Sequence, residues 1–232
     1  MCRGTGMTAG MDGGGLSRRK SCLASRAAFE YLDRHMTRRA IVAGLLLITL
    51  RAAPRAEPLS TLERQRLVAH LDMTEQWLVG EVSQLTAAQL AFKPAADQWS
   101  IAQVVDHLVV VGPIYWQDLQ RAVRGPSSTA RKSGTDADIL WYGIDRTHRE
   151  KAIPTEVPQG APRDIASMLD AIRQQHAQLR RYIQTTSDDL RSHIVERQGS
   201  DAYQWALLIS THEQRHILQI RDIKAHPKYP AR

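Results

Sequence analysis

The chain has 232 residues, 43% of them hydrophobic and 24% charged, values that exclude both a disordered chain and a polytopic membrane protein. Its formal net charge of +7 suggests nucleic acid until it is located: residues 1–56 hold ten of the 31 Lys and Arg but only Asp12, Glu30 and Asp33 of the 24 acids. From Glu57 onward 21 basic and 21 acidic residues are interspersed, which argues against a phosphate-tracking stripe and a nucleic-acid partner.

Residues 1–35 are rich in Gly and Arg and carry no sustained period, the composition of a disordered or untranslated upstream segment. At Met36 a second start is followed by Arg38, Arg39 and an uncharged apolar run of 11 residues, Ala40 to Leu50, with small residues at Ala52, Ala53 and Ala56. A run this short does not span a bilayer comfortably, so residues 36–56 are expected to be a signal peptide. The protein is then exported, periplasmic or secreted, and stays on a membrane only if the signal is left uncleaved as an anchor. Both cysteines, Cys2 and Cys22, lie in the upstream part, so the domain expected over 57–232 has no thiol and no disulfide.

Within that domain the apolar residues follow a helical period and no strand alternation stands out. The first helix runs from about Ser60 to Leu85, with Leu67, Leu71, Leu78 and Val82 on one stripe and a capping box of Ser60 and Glu63. Thr86 and Gln89 repeat that signature for a short turn, and Pro94 then breaks the chain before Trp99. The second helix opens on Ser100 and Gln103 and carries Ile101, Val104, His107, Leu108, Val111, Tyr115 and Leu119. Pro113 removes the amide that would serve the Val109 carbonyl, which predicts a kink there. Residues 124–163 hold several Pro and Gly and form a long connection, a lid or cover with a short helix over Asp136 to Lys151 bearing Trp141 and Tyr142. The third helix begins near Pro162 and shows Ile165, Leu169, Ile172, His176, Leu179 and Ile183. The fourth runs from Asp201 to about Ala225, with Trp205, Leu208, His212, His216, Ile220 and Ile223. Amphipathic helices of this length bury their stripes against one another, so the fold class is all-α, a four-helix bundle with its long connection between helices 2 and 3.

Four histidines interrupt these stripes. His212 and His216 stand one turn apart, roughly 40° around the axis, so both rings leave the helix on one face. Each either bonds a carbonyl or carboxylate in the core or shares a metal ion, and His107 on a second stripe favours the metal. His176 lies on the third stripe, either as a satisfied core histidine or as a general base supporting the site. Asp106 and Glu213, about 100° off the metal face, are expected on the solvated surface. Trp99 and Trp205 are expected in the core, and His70, His148, His193 and His226 show no partner pattern.

Several stretches taken in order resemble the DinB/YfiT-like superfamily: Lys93-Pro94 through Trp99-Ser100-Ile101, Val104-Val105-Asp106-His107-Leu108, and His212-Glu213-Gln214-Arg215-His216 with Gln219-Ile220. The tail from Lys224-Ala225-His226-Pro227 to Pro230 extends the resemblance over nearly the whole domain. It implies a bundle binding one divalent ion through His107, His212 and His216; three neutral imidazoles suit zinc or nickel and leave open positions on the ion. Characterised relatives include transferases and isomerases that use low-molecular-weight thiols. Export removes the chain from those cytosolic cofactors, which ranks hydrolysis by metal-activated water above thiol transfer. A non-catalytic binding module is the alternative. The expected partner is an unidentified small-molecule substrate, and a homodimer is left open.

Overall fold

The computed structural model describes residues 58–128 and 134–231; the expected signal and the segment upstream of it lie outside the described residues. In chain order the regular elements are α1 Thr61–Val82, α2 Ala87–Ala91, α3 Ile101–Arg124, α4 Asp136–Ile144, α5 Ile165–Thr185, β1 Ile194–Val195, β2 Ser200–Asp201 and α6 Ala202–Lys224. The fold is the expected all-α bundle: α1 and α3 each pack against both α5 and α6, and α4, from the long connection, lies on α6. Among the described residues no helix is long and apolar enough to cross a membrane.

Most of the helix starts follow from their caps. Reciprocal capping boxes join Ser60 to Glu63, Thr86 to Gln89, Ser100 to Gln103, Thr135 to Asp138 and Asp201 to Gln204. In each, a side-chain oxygen satisfies a backbone donor that the first turn leaves without a partner. α5 starts later than Pro162, because the Asp164 carboxylate accepts the Ser167 amide and so becomes the cap. α4 stops at Ile144 instead of reaching Lys151: Asp145 turns to extended backbone and its Oδ1 accepts the Thr147 amide at 2.9 Å. The two-residue strands β1 and β2 were not expected, being too short to show alternation. They pair antiparallel, Ile194 with Asp201 and Val195 with Ser200, around a turn that needs Gly199 at φ +66°. The hairpin delivers Asp201 to the start of α6. Arg191 beside it pairs with Glu63, Asp136 and Asp201, tying together the starts of α1, α4 and α6.

α3 continues through Pro113. The Val109 carbonyl that Pro113 cannot serve accepts Nε2 of Gln175, on α5, at 3.0 Å. Gly112 makes room for that side chain, since a Cβ there would lie 2.0 Å from Gln175 Oε1.

The buried hydrophobic residues form two clusters, one around Leu71, Tyr115, Leu179 and Trp205, the other around Leu78, Val104, Ile172 and Ile217. On α1, α5 and α6 the residues between the clusters are polar: Thr74, His176, His212 and Glu213, all buried. His176 is satisfied in that layer, with Nδ1 at 3.0 Å from Glu75 Oε2 and Nε2 at 3.2 Å from Glu213 Oε2. Thr74 donates its hydroxyl to the same Glu213 oxygen at 2.8 Å. Burial opposes the charge on His176, but the Glu213 and Glu75 carboxylates outweigh it and push the imidazole up to about 9.

Replacing Gln175 with Leu should leave the Val109 carbonyl without a partner and lower stability by about 1–3 kcal/mol, measured by urea unfolding. His176 binds its proton more tightly folded than unfolded, where its ordinary value is 6.5. Its contribution is therefore complete below pH 6.5 and is lost as pH rises through about 9. Unfolding curves across that window should show wild-type stability declining more steeply than that of His176→Gln. Parallel declines would mean that His176 does not carry the charge.

Candidate metal centre

The bundle brings His107, His212 and His216 together, with one nitrogen from each ring lying within 4.8 Å of the others. α3 carries His107 two turns inside its capping box, and α6 presents His212 and His216 from successive turns of one face. His212 Nε2 lies 3.5 Å from His107 Nε2 and 3.1 Å from His216 Nε2. Nitrogens bound at 2.0–2.1 Å to a tetrahedral ion are roughly 3.3 Å apart, so these two separations fall on either side of the value a metal requires.

The opposite sides of two rings decide which nitrogen holds the proton. His107 Nδ1 donates to the backbone carbonyl of Glu156 at 2.7 Å, and His216 Nδ1 donates to Gln219 Oε1 at 2.8 Å. When neutral, both rings therefore turn an unprotonated Nε2 toward His212. His212 Nε2 has at most one proton, so one of its two short contacts is not an N–H···N bond. A divalent cation accepts all three lone pairs at once, which is the fit the donor set calls for. The rings are also held in the ligand form. Burial lowers the pKa of His107, and burial followed by the neighbouring imidazoles lowers that of His212 well below the ordinary value. Burial and then His107 push His216 down to about 3.

These rings line a cleft of about 680 Å³ together with Trp99, Tyr115, Tyr142, Arg146 and Arg215. That volume lies within the range of small-molecule sites, roughly 300–1,000 Å³. One wall of the cleft is the long connection itself. Arg215, on α6, donates to the carbonyls of Tyr142, Asp145 and His148, and its guanidinium lies 4.8 Å from the centre of the Tyr142 ring. Arg197, in the hairpin turn, pairs with the Glu156 carboxylate and so pins the 3-10 turn Pro154–Glu156 against α3.

Asp106 and Glu213 are not on the solvated surface, being 3% and 2% exposed. Being off the metal face does not mean facing water here, because α6 is covered by α1, α3 and α4, and α3 by α2, α5, α6 and the 3-10 turn. Asp106 receives Arg163 Nε at 2.8 Å, and Glu213 is held by His176 and Thr74. His70, without a partner pattern in the sequence, reaches Ser210 and Gln214 on α6. Trp205 is buried and Trp99 is partly buried against the second cluster, while Trp141 is 62% exposed on the outer side of α4. Of the supporting groups, only Gln219 carries a signal, standing three residues after His216 on one helix face. Glu156 acts on His107 through its backbone, which no side-chain pattern announces.

The family model of the DinB superfamily matches residues 66–220. The uncharacterized protein YuaE of Bacillus subtilis (strain 168) is 26% identical over 157 residues, covering 65% of this chain and 91% of its own length. No solved structure matches the chain. The matched span begins in α1, includes all three histidines and ends in the final turns of α6, and the chain belongs to the DinB superfamily.

Proposed function

We propose that the protein is a metal-dependent enzyme, a hydrolase, with one zinc or nickel ion held by His107, His212 and His216. The observation that carries this is the convergence of three imidazole nitrogens, two with their protons fixed on the far side, in a cleft large enough for a small molecule. Three neutral protein ligands are the set found in catalytic sites, where a position is kept for water or substrate. Bound there, the ion would supply Lewis acidity, lowering the pKa of a coordinated water or polarising a carbonyl or thiol sulfur.

The chain's own residues orient and enclose. The Glu156 carbonyl and Gln219 hold the rings of His107 and His216. Trp99 packs on His107 with ring centres 4.9 Å apart, and Arg215 fixes the wall formed by residues 142–148. Thiol transfer is the second chemistry open to such a site. It ranks lower because the Arg38-Arg39 pair and the apolar run to Leu50 support export, away from cytosolic thiols. A specific observation favours a non-catalytic binding module: Asp106, Glu156 and Glu213 are each engaged by a basic side chain, which leaves none of these three as a ready general base.

Elemental analysis of the chain purified without a histidine tag tests the metal. The wild type should carry about one equivalent of a divalent ion and His107→Ala/His212→Ala none. A wild type that fails to retain added zinc or nickel would reduce the three histidines to core residues and remove the basis for enzymatic activity.

A further inference from the structure

Two tyrosines in the cleft pack their rings on the first cluster, yet their hydroxyls are accounted for neither by packing nor by ligation. Tyr115, on α3, is 8% exposed, and its ring centre lies 5.3 Å from that of the ligand His212. Tyr142, on α4, is partly buried and lines the same cleft. The partly buried Tyr182 places its hydroxyl on Asp188 at 2.7 Å, and the Tyr229 hydroxyl, outside the cleft lining, is enclosed without a hydrogen-bond partner. Among the described residues neither Tyr115 nor Tyr142 has a protein partner for its hydroxyl, and neither oxygen is sealed from solvent. Both rings line the cleft and are held firmly, Tyr115 against Trp205 at 5.0 Å and Tyr142 under the Arg215 guanidinium.

We infer that Tyr115 and Tyr142 form a pair of hydroxyl donors that positions an acyl substrate, a carboxylate, ester or amide, by hydrogen bonding to its carbonyl-derived oxygen beside the three histidines. This role rests on the metal-binding function proposed above. An oxygen that gains negative charge during acyl chemistry is stabilised by donors fixed in advance, and tyrosine hydroxyls serve in that capacity. A tyrosine phenol ordinarily ionises near pH 10, so at neutral pH both hydroxyls keep their protons and act as donors rather than bases. An oxygen that accepts from both hydroxyls is held by more than the metal, which distinguishes an acyl substrate from a ligand that touches the metal alone.

The test uses the full-length chain, Tyr115→Phe and Tyr142→Phe, each first analysed for bound metal. Two probes are titrated calorimetrically: acetohydroxamate, which presents acyl-type oxygens, and azide, which binds metals without any oxygen. Each substitution should weaken acetohydroxamate about tenfold while azide affinity and metal content stay at the wild-type level. Unchanged acetohydroxamate affinity in either variant would overturn the pair. Equal losses for both probes would overturn it too, because the rings would then only shape the cleft. A wild type without metal would overturn both this role and the function beneath it, whereas normal metal with unaltered probe binding overturns this role alone.

Discussion

A layer of polar side chains crosses the middle of an otherwise apolar bundle, and its requirement for partners organises what surrounds it. Thr74, His107, His176, His212 and Glu213 are all buried, where a polar group without a hydrogen bond costs about 1–3 kcal/mol. Two solutions lie side by side in this layer. Toward α1 and α5, a carboxylate, an imidazole and a second carboxylate run from Glu75 through His176 to Glu213. Toward α3, His107 and His212 face one another together with the partly buried His216 one turn along α6. Adjacent residues of α6, His212 and Glu213, belong to the two solutions, so displacing that helix would disturb both.

The long connection is part of the site rather than a tether between helices. Its 3-10 turn supplies the Glu156 carbonyl that orients His107, and α4 lays Tyr142 over the cleft. α4 can lie close because Gly143 faces α6, where a Cβ would come within 3.0 Å of Thr211 and Gln214. Arg215 then takes the carbonyls that α4 and the loop after it leave open. The guanidinium suits this, since its donors form a rigid fork that can serve several oxygens at once. Ligands come from the bundle helices, while the wall and one ring's orientation come from the connection.

The same connection explains where helical periodicity misleads. Asp106 and Glu213 stand off the metal face, and on a helix with one buried side that would put them in water. α6 has no such solvated side at Glu213, because α1, α3 and α4 surround it. Pro113 is a comparable instance. Chain order shows the amide it removes, yet only the approach of α5 reveals that Gln175 serves the orphaned carbonyl.

The sequence by itself determined the four bundle helices and most of their start points, because capping boxes and apolar stripes are local features with fixed spacing. It also singled out His107, His212 and His216, since a polar residue on an apolar stripe is visible without coordinates. Tertiary structure alone decided that their Nε2 atoms face one another, that Glu156 holds His107 through a backbone carbonyl, and that Tyr115 and Tyr142 share one cleft. Local patterns state which side of a helix seeks burial. Which groups meet there depends on contacts between residues far apart in the chain, and on backbone atoms that every residue possesses alike.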